Sequence, residues 1–468
     1  MNDPEHFPDW EKLRHENEVL RANLNRAREE NHLLRVQHLE EKTKRQAFQK
    51  SWIYPLYKLA AKKPPPPGPL PHPGDSASQI LTEAGYASAL DGFHFIIDLP
   101  HAPAQGPTTP REGKTSRRLH WLIPDFGPGA GGHSTIFRIL QCLERQDWEI
   151  HLWICGPTRY ANGAQAEKCQ REFFTPLSAS IRLLTRENLS EVDGEGVVAT
   201  DRWTAFWARA VGRVGKKFYF IQDWEPDFYA VGSEAFLSEW TYDFGFHSIT
   251  AGPWLAEELQ KRASQKNETP PSFFPLAVDH QIYQPAKESQ EDAPGPRRIA
   301  FYGRLRTPRR CVEMGLLALT LLARQRDDFI VDLYGEETSS KWHCDFPVQH
   351  HGILDHHELA NLYQKARLGL CLSGTNYSLV PLEMMACGLP VIDLQRPCTE
   401  NVFPSETITL AEPQPEALAR ALNQLLDHPD EAREQANEAL NHARTLNWEQ
   451  SGDAVHQALV SVFETSGD

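Results

Sequence analysis

The chain has 468 residues, enough for two or three domains with full cores. A formal net charge of −15 and a pI near 5.7 argue against a nucleic-acid surface, which would need a clustered basic face. The eight cysteines (Cys142, Cys155, Cys169, Cys311, Cys344, Cys371, Cys387, Cys398) form no C-x-x-C pair and lie mostly in apolar runs. They predict reduced core residues of a cytoplasmic protein, not a disulfide or zinc framework. Polar residues follow Met1 at once, so no signal peptide is expected. No apolar run approaches the roughly 20 residues of a membrane span.

Residues 10–45 carry a heptad pattern. Leu13, Leu20, Ala27 and Leu34 recur seven apart, with Trp10, Asn17, Leu24 and Asn31 three residues ahead of each. With the second set at a and the first at d, Asn17 and Asn31 occupy a positions and favour a parallel homodimer. The seam weakens at His38 and Glu41, and a single solvated helix is the plainer alternative. Phe48–Lys63 interleaves aromatics with lysines, the pattern of an interfacial anchor in peripheral contact with a membrane. Pro55 interrupts it, and packing on the next domain is the competing reading. Pro64–Pro73 is a stiff polyproline spacer. Phe93–Leu99 reads as a strand, and 101–116 as a flexible linker.

From Arg117 strands and helices alternate. The first set comprises strands at Leu119–Pro124, Glu149–Cys155, Val197–Thr200 and Lys217–Ile221, with helices at Thr135–Gln146 and 202–212. After a polar linker at 286–296 a second set follows. Its strands are Arg298–Gly303, Phe329–Tyr334, Gly369–Leu372 and Val391–Leu394, and its helices are 309–325, 356–366, 380–387 and 414–427. Two α/β domains with parallel sheets are implied, with ligand sites at the carboxyl ends of their strands and a cleft between them. The divisions are 1–48 (coiled coil), 49–116 (interfacial segment and linker), 117–285 and 297–468.

Gly127-Pro-Gly-Ala-Gly-Gly132 matches G-x-G-x-x-G between a strand and a helix. A dinucleotide site would also want an acid at the end of the next strand, which here runs Ile154-Cys155-Gly156-Pro157-Thr158. Arg159 leaves an NADP-dependent oxidoreductase open as an alternative. Equally, the backbone N–H groups of Gly131, Gly132 and His133 can approach a phosphate or sugar across a cleft. The second candidate is Leu379–Val391, LVPLEMMACGLPV, after an apolar run ending at Leu372 and a polar loop. A helix beginning near Pro381 places free N–H groups of Ser378, Leu379 and Val380 at its positive end, an anion site suited to a diphosphate. Glu383, in the expected first turn, can accept hydrogen bonds from sugar hydroxyls, and Gly388 ends the helix. Beyond the strand ending at Ile221, Asp223 and Glu225 can orient an acceptor hydroxyl or steady an oxocarbenium-like centre. Asp223 as a simple turn cap is the structural alternative. His133 can bond donor or acceptor, or cap a helix starting at Ser134. No D-x-D occurs, and no metal site is expected: His350-His351 and His356-His357 lack partners at ligand spacing and read as solvent-facing.

Four ordered motifs carry a resemblance: Ser248–Leu259, Pro275–Asp279 with Tyr283 and Pro285, Tyr302–Leu305 with Arg309, and Leu379–Val391. Together they resemble family 4 of the nucleotide-sugar glycosyltransferases, over roughly Leu119 to Trp448. Gly131–Arg138, Gln222–Pro226 and Tyr302–Arg309 look most like bacterial surface-glycan rhamnosyltransferases. The resemblance implies a GT-B fold, with an acceptor domain over 117–285 and a donor domain over 297–468. It implies transfer from a dTDP- or UDP-linked sugar to a glycan or lipid-linked glycan, without cofactor or metal, and with retention at the donor's front face. Arg304 and Arg309 match the family's arginine and lysine that grip the donor diphosphate; a solvated basic loop of Arg306, Arg309 and Arg310 is the alternative. Glu383 matches the second glutamate of the E-x7-E motif, which binds the nucleotide's sugar ring. Gly352-Ile353-Leu354 matches the loop against the base. Thr375 stands where the first glutamate, a donor-sugar contact, is missing; this is compatible with a deoxy sugar such as rhamnose. It also leaves a catalytically inactive coiled-coil scaffold of glycan assembly as a further alternative.

Overall fold

The computed structural model describes residues 93–102, 117–262, 270–286, 295–305, 307–336 and 344–464. Every described residue lies in one compact unit, Asp91–Asp468. The heptad, interfacial and polyproline segments expected before residue 90 therefore lie outside the described residues, as does Arg306.

The first domain is one seven-stranded parallel sheet in the order β3-β2-β1-β4-β5-β6-β7. Its strands are β1 (Arg117–Ile123), β2 (Trp148–Cys155), β3 (Ile181–Leu184), β4 (Asp193–Ala199), β5 (Arg213–Ile221), β6 (His247–Ala251) and β7 (Ser272–Phe274). Helices α2 (Gly131–Glu144), α3 (Gly163–Phe173), α4 (Arg202–Ala210), α5 (Ser233–Thr241) and α6 (Pro253–Arg262) connect them. The strands are buried on both faces, as in WLI of β1 and FYFI of β5, which is what a parallel sheet covered by helices requires.

The second domain repeats the plan with six parallel strands, β10-β9-β8-β11-β12-β13. These are β8 (Arg297–Tyr302), β9 (Phe329–Tyr334), β10 (Val348–Gly352), β11 (Leu368–Leu370), β12 (Val391–Leu394) and β13 (Thr409–Ala411). Helices α7 (Val312–Ala323), α8 (His356–Lys365), α9 (Leu379–Ala386), α10 (Pro397–Glu400), α11 (Pro415–Asp427) and α12 (Pro429–Thr445) complete it. In both sheets the first strand is central and the order reverses beside it, so the carboxyl ends of β1 and β8 are the switch points where ligands bind.

The expected 297–468 domain ends in a helix that packs on the other domain. Helix α13 (Trp448–Glu464) returns to the first sheet, where Val455 and Leu459 are fully buried, each contributing roughly 1.5–3 kcal/mol. Trp148 Nε1 donates to His456 Nδ1 at 2.9 Å, and Phe463 packs on Phe218. Sequence patterning also misreads Phe93–Leu99, where a short helix, α1 (His94–Asp98), stands in place of a strand. Its aromatics find partners off the sheet: Phe95 packs on Trp203, Phe206 and Trp207 of α4.

Candidate active site between the two domains

The loop Ser373–Ser378, between β11 and α9, is bolted to the first domain at the carboxyl ends of β5 and β6. Thr375 Oγ1 donates to Asp223 Oδ2 at 3.0 Å. Asn376 Nδ2 donates to the carbonyls of Gln222 (2.9 Å) and Ala251 (3.2 Å). The Tyr377 hydroxyl accepts from Leu276 N at 3.0 Å. Its ring occupies the space a side chain on Gly252 would need, and Gly252 has φ +87, so glycine suits this corner twice over. A 3₁₀ turn over 308–310 adds a further link: Arg309 Nε lies 3.3 Å from Asp223 Oδ2, and its guanidinium covers Phe228 at 4.0 Å.

Asp223 is thus a buried carboxylate held by both domains. Burial pushes its pKa up, against the pull of Arg309, Arg310 and the Thr375 and Trp224 hydrogen bonds. Glu225 is placed differently. It turns into the first domain, accepts from Arg202 N at 2.8 Å, and is pushed well up by burial and by Asp201. Its carboxylate serves the α4 corner and does not join Asp223. His133 turns back beneath its own helix: Nε2 lies 3.3 Å from the Pro124 carbonyl and the ring rests on Phe126. Burial lowers its pKa to about 4, so it is neutral at physiological pH. It is not a cap, because α2 starts at Gly131 with Ala130 before it.

In the second domain α9 begins at Leu379, with Ser378 as N-cap and no side-chain cap. Pro381 is its third residue and Glu383 its fifth, two residues further in than the sequence suggests. Glu383 is buried, and burial raises its pKa to about 7 against a hydrogen bond from Tyr283. The Tyr283 hydroxyl also lies 2.9 Å from His356 Nδ1. Gly388, at φ +73, ends the helix as expected.

Arg310 is the residue sequence reasoning underrates. It is no solvated loop residue: only 8% of it is exposed, and one guanidinium nitrogen has no hydrogen-bond partner. Ser378 Oγ is likewise unpartnered, and the Cys371 thiol neighbours both Arg310 and Ser378. The signal available in sequence was its place after Pro308-Arg309, where a 3₁₀ turn sends consecutive side chains about 120° apart. Arg304, half-buried, follows β8, so Arg304, Arg310 and the start of α9 gather at the carboxyl ends of β8 and β11.

Gly352 (φ +76) and Leu354 flank Ile353, which is 52% exposed. Ile353 Cγ2 lies 3.5 Å from where a side chain on Gly129 would begin, so the glycine loop and the 352–354 loop face each other across the cleft. Gly131 and Gly132 are exposed there, and Gln222 Nε2 donates to the Gly132 carbonyl at 3.1 Å. Arg159, the residue an NADP reading needs, pairs with Asp125 at 2.7 Å and lies against Gly127. The histidines beyond β9 are not simply solvent-facing. His351 Nε2 lies 2.6 Å from Asp332 Oδ1, beside Arg298. Among the described residues no group of three or more His, Cys, Asp or Glu is arranged to hold a metal ion. A cavity of about 120 Å³, lined by Thr375 together with Trp224, Asp227, Trp254, Arg262 and Arg396, is too small for a nucleotide sugar.

Two facing parallel-sheet domains are the architecture of the GT-B fold, and this chain has that fold. Residues 310–455 match the model of the glycosyl transferase-like family. The O-antigen biosynthesis protein RfbC of Myxococcus xanthus is 29% identical over 351 residues, covering 73% of this chain. The chain spans only about a quarter (27%) of that relative. A sucrose-phosphate synthase from Thermosynechococcus elongatus superposes with a TM-score of 0.58 at 17% identity, over 75% of this chain and all of the other. Anabaena HepE with bound UDP-glucose gives 0.56 at 12%, over 75% and 100%. WaaG, a glycosyltransferase involved in lipopolysaccharide biosynthesis, gives 0.57 at 13%, over 72% and 98%. Among the described residues no helix is long and apolar enough to cross a membrane.

Proposed function

We propose that this chain transfers a sugar from a nucleoside-diphosphate donor to a growing bacterial surface glycan. The observation that carries the reading is the buried, incompletely partnered Arg310 beside the uncapped start of α9. A buried guanidinium with a spare donor costs on the order of 1–3 kcal/mol unless an acceptor arrives. A diphosphate is such an acceptor, and the helix's free N–H groups add to the attraction. We assign Arg304, Arg310, Ser378, Leu379 and Val380 to the diphosphate, with Arg309 held between it and Asp223. Glu383 faces the nucleoside's sugar ring. Gly352, Ile353 and Leu354 receive the base, for which the exposed apolar Ile353 offers a flat contact. Gly131 and Gly132 approach from the opposite wall.

The chemistry follows from charge. The bond from the sugar's C1 to the leaving phosphate oxygen breaks as the acceptor oxygen bonds to C1, and negative charge grows on the diphosphate. Fixed guanidinium groups and helix N–H groups stabilise that charge without reorganising. On the front face the departing phosphate oxygen takes the acceptor's proton, so no separate base and no metal are needed. The relative's role in O-antigen biosynthesis supports a surface-glycan acceptor, and HepE's bound UDP-glucose supports a nucleotide-sugar donor. Thr375 in place of a glutamate supports a deoxy donor such as rhamnose.

Thermal shift against UDP, dTDP, GDP and NADP tests the reading. One nucleoside diphosphate is expected to stabilise the protein, and Arg304→Ala or Glu383→Ala to remove that stabilisation. Stabilisation by NADP alone, or sugar transfer undiminished when Arg304 and Glu383 are both replaced by alanine, would defeat it.

A further inference from the structure

Asp223 belongs to the first domain, yet its outer oxygen is fixed by two elements of the second, Thr375 at 3.0 Å and Arg309 at 3.3 Å. We infer that Asp223 is the donor-sugar-reading carboxylate of this enzyme, reaching across from the acceptor side to the subsite beside Thr375. The inference rests on the donor-site reading above and deepens it.

The capacity of the groups decides the matter. Thr375 is buried three residues before the N-cap of α9, so a sugar on a diphosphate bound there lies alongside it. Its single hydroxyl donor is already given to Asp223, leaving Thr375 only a neutral acceptor for a sugar hydroxyl, weaker than a carboxylate. Asp223 has room. A carboxylate accepts at about four lone-pair positions. Trp224 N takes one on Oδ1 at 2.9 Å, and Thr375 and Arg309 lie against Oδ2. The neighbouring Asn376 also has an unmet need. Its Nδ2 is committed to two carbonyls, which fixes the amide's orientation, and its Oδ1 is buried without a donor.

A phosphate has only acceptors to offer and satisfies neither Asp223 nor Asn376 Oδ1. The orphaned nitrogen of Arg310 wants an acceptor, while Asn376 Oδ1 wants a donor. A polyol on a diphosphate supplies both. Because the carboxylate and the diphosphate anchor sit on different domains, sugar recognition is complete only with the 373–378 loop docked.

The experiment moves the carboxylate. Thermal shift and steady-state kinetics are measured with UDP, dTDP and GDP and with their glucose, galactose, mannose and rhamnose conjugates. The proteins are wild type, Asp223→Ala, the isosteric Asp223→Asn, Thr375→Glu, and the double variant Asp223→Ala/Thr375→Glu. In wild type one conjugate should stabilise more than its bare diphosphate. Both Asp223 variants should keep the diphosphate shift, lose the sugar's extra increment, and lose on the order of 10- to 100-fold in kcat/KM. Thr375→Glu, with two carboxylates in one buried place, should be impaired, and the double variant should recover part of the increment. An unchanged increment in Asp223→Asn, or a double variant no better than Asp223→Ala, overturns the inference while leaving the donor site standing. No shift with any diphosphate in wild type overturns both.

Discussion

The two domains share one topology and one kind of corner, a central strand running through a loop into a helix, but they charge that corner differently. After β1, Arg159 is neutralised by Asp125 and lies against Gly127, while His133 is neutral and turned inward. In the second domain Arg310 is buried with a donor to spare beside an uncapped helix start. The glycine pattern that catches the eye in sequence is therefore the quieter corner. The difference separates the corner we propose for the phosphate, which has an unmet electrostatic need, from one where glycines make room but no such need exists.

The sharpest way to break the comparison is to remove the buried cation. Arg310→Met leaves the buried Asp393 without the positive charge that favours its ionised form, and leaves Asp223 with Arg309 alone. Removing one partner of a buried charge arrangement costs about 3–5 kcal/mol, so urea unfolding should show a loss of that order, together with loss of the nucleoside-diphosphate shift. A variant that unfolds like wild type and still binds diphosphate would show the corner to be ordinary packing.

A second prediction uses pH. Folding raises the Glu383 pKa from its ordinary 4.5 to about 7 by burial, so the folded state holds a proton the unfolded state releases. Its contribution is fully present below pH 4.5 and is lost as pH rises through 7. The shift corresponds to roughly 3 kcal/mol. Asp393, raised to about 7 by burial, acts in the same direction and stays in place. Glu383→Gln mimics the protonated form, so it should flatten the decline between pH 4.5 and 8 by about that amount. If its pH profile parallels that of wild type, the burial argument fails.

Much of this arrangement was legible in the chain. Runs such as Phe329–Tyr334 and Val391–Leu394 gave their strands to the residue, because parallel strands buried on both faces are near-continuous apolar runs, interrupted here only by Asp332 and Asp393. Gly388 marked the end of α9 for the same reason it is needed there, a positive φ. What local pattern cannot carry is who lies opposite. Asp223 and Thr375 are 152 residues apart, and nothing near either one announces the other. Arg310 looked solvated because its neighbours Arg306 and Arg309 made the stretch look basic and exposed. Helix α1 was misread because FHFIID suits a strand by propensity, whereas its partners are the aromatics of α4.

A smaller effect tests the docking of the 373–378 loop. Tyr377→Phe removes the hydroxyl that accepts from Leu276 N and leaves that buried donor unpaired, a cost of about 1–2 kcal/mol. Because the ring still fills the space beside Gly252, the loop stays seated. The melting temperature should fall by a few degrees with diphosphate binding unchanged.

The smallest effect belongs to the quiet corner. Arg159 is 55% exposed, and its partner Asp125 also accepts from Thr158 Oγ1 and from the Arg159 backbone N–H, so Arg159→Ala leaves the carboxylate two donors. An exposed pair of this kind is worth about 0–1 kcal/mol. Arg159→Ala should therefore melt within a degree or two of wild type and bind the nucleoside diphosphate unchanged. It should also uncover Gly127, which the guanidinium now crowds. If the glycine loop were a masked phosphate site, uncovering it would create or strengthen a shift with NADP or inorganic phosphate. With α2 uncapped by any side chain and no buried cation at its start, none should appear, and the two corners would differ by charge alone.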